Sequence, residues 1–155
     1  MPAAEQTPLL KLATLDGTTG RYQIIGVMGP DEYHDAYPWR PEAPGLDNNA
    51  YTNVMVAWVL ACAFELLDRL SPHRAREVRR RLRISDEELA LWDTISRRLK
   101  VVFHDDDIIS QFEGYEDLEE FDWNAYRGRY GDIQRLDRIL EAEGDTPNRY
   151  KLSKQ

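Results

Sequence analysis

A nearly unbroken apolar run at residues 54–67, interrupted only by Glu65, dominates the hydrophobic pattern of the chain. Asn48 and Asn49 precede it, and asparagine side chains accept the free amide hydrogens of a helix's first turn. The pattern predicts a helix from about residue 48 or 49 to Arg69. Because this helix is apolar on nearly every face, it must be covered on all sides. The run is too short to span a bilayer, which favours a core helix.

Three amphipathic helices are predicted after the apolar one. Residues 71–83 form the first, with Pro72 at the first helical position. Residues 85–88 have the sequence of a capping box, which starts the next helix. Its apolar stripe at helical spacing consists of Leu89, Trp92, Ile95 and Leu99. Residues 132–143 form the last helix, which Gly144 ends.

Little of the remaining chain has a regular pattern. Residues 9–15 and 21–27 are short β-prone runs that flank a turn-forming segment, which predicts a hairpin. Residues 28–46 contain four prolines and are predicted to form a loop. Residues 101–110 are expected to be irregular or weakly extended, and residues 116–121 a helical turn. The predicted fold class is therefore mainly α, with a short β-hairpin near the N-terminus.

Composition narrows the class of protein. The 155 residues fit one soluble domain, and the net charge of −8 argues against nucleic acid or an acidic membrane as partner. Cys62 is the single cysteine, so no intrachain disulfide can form, which favours a cytoplasmic location. None of the three histidines has metal-ligand spacing, and no metal site is predicted.

Two polar blocks carry the candidate chemistry. Residues 29–34 read GPDEYH and residues 47–53 read DNNAYTN. An Asp-Glu pair on a loop is most often a solvated turn. Glycosidic bond cleavage, however, needs a carboxylic acid that remains protonated near neutral pH, and Asp31 and Glu32 are residues of that type. The Asp-Asn pair at 47 and 48 can act as a helix cap, line a pocket, or do both.

Together with QFEGY at residues 111–115 and PNRYK at residues 147–151, these blocks resemble the catalytic region of glycoside hydrolase family 65. That family contains disaccharide phosphorylases and acid trehalases. The chain departs from the family pattern in its long link at residues 36–46 and in Ser110, where proline is usual. The resemblance implies a single partial domain over residues 1–155, a central-to-late slice of an (α/α)6 barrel.

The resemblance also implies roles for individual residues. Glu32 corresponds to the general acid of the family. A second group is expected to lie beside the sugar or to contact it: Asp31, Asn49, Tyr51, Asn53, Gln111, Glu113, Lys154 and Gln155. Gln111 and Glu113 could equally belong to a surface acidic loop. His34 and Tyr33 are expected to support the acid loop.

The function implied is inverting phosphorolysis of an α-linked glucosyl disaccharide such as trehalose, maltose or kojibiose. Inorganic phosphate is the expected co-substrate, and no cofactor is expected. Two alternatives stay open: a hydrolytic, trehalase-like enzyme, and a truncated fragment that acts only by association. The expected partners are the disaccharide and, for the uncovered helix, another copy of the chain or the missing barrel segments.

Overall fold

The computed structural model describes residues 13–105 and 107–152, and the fold is mainly helical. Two compact units divide the chain: unit 1 combines residues 1–24 with 52–101, and unit 2 combines residues 25–51 with 102–155. The strands are β1 (Ala13–Leu15), β2 (Tyr22–Ile24), β3 (Phe103–His104) and β4 (Ile108–Ile109). The α-helices are α1 (Ala50–Arg69), α2 (Pro72–Leu82), α3 (Asp86–Arg98), α4 (Trp123–Tyr130) and α5 (Leu136–Ala142). Two short 3-10 helices cover Tyr115–Asp117 and Pro147–Arg149.

The predicted hairpin is confirmed in unit 1. Strands β1 and β2 are antiparallel, with Ala13 opposite Ile24. Asp16 closes the turn, since its carboxylate accepts a hydrogen bond from the Thr18 amide at 2.9 Å. The predicted residues 9–12 of the first strand lie outside the described part of the chain.

Helices α1 to α3 confirm the predicted elements of unit 1. Ser71 caps α2 and Ser85 caps α3, each by accepting a backbone N–H three residues further on. The α3 stripe lies toward the interior, with Ile95 and Leu99 buried. These helices could be predicted because local capping and hydrophobic spacing specify them.

Much of the apolar surface of α1 is exposed. Within the described residues, its exposed large apolar side chains are Tyr51, Val54, Trp58, Val59 and Leu66. The helix has 20 residues, longer than the apolar run alone, and by length and composition it could cross a membrane. Core helices of soluble proteins pass the same test, so this finding is weak evidence for a membrane span. The covering that the sequence predicts for every face of α1 is not supplied by the described residues.

Unit 2 is built on two buried clusters. The first contains Tyr37, Leu46, Phe112 and Leu118, with Tyr115 packed against it. The second contains Phe121, Leu136, Leu140 and Leu152, with Tyr33, Tyr126 and Tyr150 at its edge. Paired backbone hydrogen bonds between Val27 and Leu46 join the two ends of the predicted loop between β2 and α1. This arrangement fixes both ends of the segment that carries Asp31 and Glu32.

Two elements of unit 2 differ from the sequence prediction. The last helix begins at Leu136, four residues later than predicted, and α4 was not predicted. Helix α4 lacks an apolar stripe; instead the Tyr126 ring packs against Phe121 in a tilted arrangement, with ring centroids 4.5 Å apart. Its Tyr126 and Tyr130 hydroxyls both donate to Glu143. Tertiary contacts of this kind leave no periodic signal in the sequence.

Candidate functional site

The Asp31–His34 turn in unit 2 is fixed from both sides. One Asp31 carboxylate oxygen accepts the Tyr33 amide hydrogen at 3.1 Å, and the other lies in hydrogen-bond contact with His34 Nδ1. His34 is only 1% exposed, and its Nε2 lies 2.9 Å from the Tyr150 carbonyl oxygen. Because a carbonyl only accepts, Nε2 must carry a proton and donate it. The predicted supporting role of His34 is confirmed.

Aromatic packing completes the support of this turn. The His34 ring meets the edge of Phe112 at a centroid distance of 5.2 Å and that of Tyr115 at 6.0 Å. Tyr33 packs against the second buried cluster. Both neighbours of Glu32 are therefore anchored, Asp31 by hydrogen bonds and Tyr33 by apolar contact.

Glu32 itself is exposed in the described structure. Its charge acts on the guanidinium of Arg135. The pKa of Arg135 is raised, and the main cause is Asp137, which accepts hydrogen bonds from the Arg135 guanidinium at 2.8 and 3.2 Å. The charge of Glu32 adds to this increase. The desolvation that a general acid requires is not provided by the described residues around Glu32.

Four predicted sugar-binding residues lie together on a cleft of about 430 Å³ in unit 2: Asp31, Asn49, Tyr51 and Gln111. Ser110 and three apolar residues complete its wall: Pro30, Ala50 and Ile109. Carboxylate, amide and hydroxyl groups on one surface match the donors and acceptors of sugar hydroxyls. The Ala50 amide donates to the Gln111 carbonyl at 2.8 Å, which holds the two contributing segments together.

Glu113 has a structural contact instead of a place on this cleft. Its carboxylate accepts a hydrogen bond from the Asn48 side chain at 2.6 Å, and Asn48 is fully buried. The Tyr37 hydroxyl donates to the Glu113 carbonyl and accepts from the Asp47 amide. Burial is the main cause that raises the pKa of Tyr37 to about 12, so this phenol remains a donor at neutral pH. Glu113 lines a separate surface cleft with Trp39 and Arg40.

Asn53 is another predicted contact that does not line this cleft. Asn53 belongs to unit 1, where its buried amide donates to the Lys100 carbonyl at 2.7 Å. Lys154 and Gln155 lie outside the described residues. Over the described ranges, 13–105 and 107–152, no group of three or more histidine, cysteine or acidic side chains could hold a metal ion.

Two residues near the site were not singled out from the sequence as pocket residues. Ser110 is buried, lines the cleft and contacts His104 Nδ1 through its hydroxyl at 2.7 Å. Arg135 interacts electrostatically with Glu32, although 103 positions separate them in the sequence. The sequence signal for Ser110 was that serine stands at position 110, where the family usually has proline. No sequence signal pointed to Arg135, because its interaction with Glu32 joins residues far apart in the sequence.

Gly29 should not tolerate a side chain. A Cβ atom there would lie 2.2 Å from Asn49 Nδ2 and 2.8 Å from Asn49 Cγ, and Asn49 is buried. We expect Gly29→Ala to lower the free energy of unfolding by about 1–3 kcal/mol, the usual cost of overpacking. Urea unfolding measures this change. Gly17→Ala is the control, since its Cβ would have no neighbour within 4 Å. Equal stability of the two variants would contradict the predicted clash.

Comparison with known proteins identifies the family. Residues 9–155 match the sequence profile described as the glycosyl hydrolase family 65 central catalytic domain. An uncharacterized glycosyl hydrolase of Mycobacterium tuberculosis is 56% identical over 93% of this chain and 11% of its own length. The trehalose 6-phosphate phosphorylase of Lactococcus lactis is 39% identical over 90% of this chain and 16% of its own length.

A solved structure shows a similar fold. A putative kojibiose phosphorylase from the human microbiome has a TM-score of 0.67 and 19% identity. The match covers 95% of this chain and 18% of that protein. The chain thus spans less than a fifth of the length of these relatives. The profile match over nearly the whole sequence establishes that the chain belongs to glycosyl hydrolase family 65, as part of the central catalytic domain.

Proposed function

We propose that this chain supplies the acid loop and part of the sugar-binding cleft of a disaccharide phosphorylase. The observation that carries the proposal is the cleft lined by Asp31, Asn49, Tyr51 and Gln111. It adjoins a turn that His34 and Tyr33 hold in place. A rigid polar cleft next to a carboxyl group is what general-acid cleavage of a sugar linkage requires.

Glu32 is the proposed general acid. It protonates the glycosidic oxygen while inorganic phosphate attacks the anomeric carbon from the opposite face, so one displacement inverts the configuration. Phosphate is already an anionic nucleophile and needs no catalytic base. Desolvation of Glu32 is then the task of the bound substrate and of protein segments beyond the described residues.

The relatives favour phosphorolysis over hydrolysis. Two of them are a trehalose 6-phosphate phosphorylase and a kojibiose phosphorylase, at 39% and 32% identity. The proposed substrates are trehalose, maltose and kojibiose, as the family resemblance implies, together with trehalose 6-phosphate. A trehalase-like hydrolase and a fragment that acts only by association are the alternatives that the experiment below separates.

The proposed setting is an (α/α)6 barrel of which this chain is one partial domain. Helix α1 exposes five large apolar side chains, and further barrel helices would cover them. Apolar burial of a large side chain contributes about 1.5–3 kcal/mol, so this covering stabilises the assembly considerably. Lys154 and Gln155 are proposed to contact the sugar in the donor site.

Phosphate dependence tests the proposal. The product of the gene that encodes this chain, at its natural length, is incubated with each α-linked disaccharide, with and without inorganic phosphate. We expect release of β-glucose 1-phosphate only when phosphate is present, because inversion at an α-linkage gives the β-anomer. The anomer is read from its proton NMR coupling.

Each contrary result has a distinct meaning. Release of glucose without phosphate would establish the hydrolytic alternative. Absence of turnover on all four disaccharides, with a cooperatively folded product, would favour the non-catalytic fragment.

A further inference from the structure

A second cleft in unit 2, of about 360 Å³, carries the basic residues Arg135 and Arg138. Its other polar residues are Tyr130, Asp132 and Gln134. This surface is formed by the end of α4, by α5 and by the loop between them, and it shares no lining residue with the cleft that contains Asp31. The cleft presents two guanidinium groups although the net charge of the chain is −8.

We propose that this second cleft binds the phosphate monoester of a phosphorylated sugar substrate. The proposal rests on the assignment of Glu32 as the general acid, because the position of Arg135 links this cleft to the acid loop. Arginine is suited to the ligand, since its planar fork of N–H donors matches the oxygens of a phosphate group.

Arg138 is the better placed of the two arginines to bind an anion. Within residues 13–105 and 107–152, its guanidinium makes no ion pair or side-chain hydrogen bond. Arg135 forms an ion pair with Asp137, which fixes the direction of its side chain. The guanidinium has five N–H donors, and those that Asp137 does not use can bind an anion. Gln134 adds an amide that can donate to a phosphate oxygen.

The carboxylates on and near the cleft set the limits of the site. Asp132 lines the cleft, and one of its carboxylate oxygens accepts a hydrogen bond from the backbone N–H of Gln134 at 2.9 Å. Asp137 is occupied by Arg135. A phosphate monoester near neutral pH has about two negative charges. Asp132 therefore weakens the attraction, and Arg138 is the residue on which binding depends most.

Packing and charge both connect the segment that carries this cleft with the acid turn. Tyr33, which directly follows Glu32, packs against the buried cluster that includes Leu136. Leu136 in turn directly follows Arg135. The charge of Glu32 accordingly acts on the Arg135 guanidinium. A sugar that receives a proton from Glu32 can thus place a phosphate ester within reach of this cleft.

Binding can be measured without turnover. The 155-residue chain, labelled with ¹⁵N, is titrated with glucose 6-phosphate, glucose and inorganic phosphate, and NMR shifts give each dissociation constant. We expect glucose 6-phosphate to bind more tightly than either comparator. Arg138→Gln should weaken its binding about tenfold, the usual effect of a lost hydrogen bond to a charged group. Asp132→Asn should strengthen it about twofold or more by removing a like charge.

Arg127→Gln is the matched control, because it removes the same charge from an exposed arginine of α4 outside the cleft. An equal effect of Arg127→Gln and Arg138→Gln would overturn the proposal, since it would indicate only a general charge effect. Equal affinity for glucose 6-phosphate and inorganic phosphate would overturn it too, by indicating a simple ion site.

The second measurement is the enzyme kinetics of the natural-length protein. It decides whether the phosphate site exists if the isolated chain lacks a dispersed NMR spectrum. Arg138→Gln should raise the KM for trehalose 6-phosphate about tenfold and leave that for trehalose unchanged. An unchanged KM for both would overturn the phosphate site while the acid role of Glu32 still stood. Loss of activity in Glu32→Gln tests the proposed function separately.

Discussion

Replacing Glu32 with glutamine should lower turnover by about 10²–10⁴-fold, the usual contribution of a general acid. Glutamine keeps the size of the side chain but cannot deliver a proton to the glycosidic oxygen. Glu32 is exposed in the described structure, so this substitution should change stability by less than about 0.5 kcal/mol. Turnover is measured with a natural α-linked disaccharide and phosphate, and folding by circular dichroism.

The control is Glu42→Gln, which removes the same charge from another exposed glutamate of the same loop. Its turnover should equal that of the unmodified protein. A glucosyl fluoride substrate adds a sharper test, since fluoride departs without protonation. Glu32→Gln should retain most of its activity on that substrate if only the proton donor is lost.

Near-normal turnover of Glu32→Gln on a disaccharide would remove Glu32 from the acid role. Asp31 would then be the carboxylate to test, because it lines the sugar-sized cleft and Glu32 does not. Asp31 is held by His34 and by the Tyr33 amide, however, so its substitution would also disturb the turn. The fluoride substrate separates these effects, since a misplaced turn slows both reactions.

The sequence predicted those parts of the fold that local signals specify. Helices α1 to α3 follow from signals at their first turns and from hydrophobic spacing. Ser85 makes the capping contact that its capping box predicts, and Ser71 caps the helix that begins at Pro72. Helix α4 could not be predicted, because aromatic and ionic contacts with Phe121 and Glu143 stabilise it in place of an apolar stripe.

The site was predictable to a similar extent. Motif resemblance identified Asp31, Asn49, Tyr51 and Gln111, and the structure places all four on one cleft. It did not reveal that Asn48 and Glu113, 65 positions apart, are hydrogen-bonded to each other. The contact between His34 and the Tyr150 carbonyl spans 116 positions and is equally invisible to local patterns. Buried polar side chains require hydrogen-bond partners, but the local sequence pattern does not identify those partners.

Phe112→Ala should be the most destabilising of the substitutions considered for unit 2. Phe112 is 1% exposed and packs in the first cluster with Tyr37, Leu46 and Leu118. Removing a buried phenylalanine ring lowers the free energy of unfolding by about 3–5 kcal/mol, through lost burial and the cavity left behind. Because domains are stable by only about 5–15 kcal/mol, this would be a large part of the total.

Urea unfolding of Phe112→Ala measures the loss, with Phe103→Ala as its matched control. Phe103 is 52% exposed, so the same truncation there should cost less than about 0.5 kcal/mol. Similar midpoints for the two variants would contradict the packing of unit 2. Phe112 also contacts the His34 ring and directly follows Gln111, a residue of the cleft wall. The Phe112→Ala variant should therefore bind sugar more weakly even at urea concentrations where the variant remains folded. Loss of the Phe112 ring removes packing that holds both the acid turn and that wall in place.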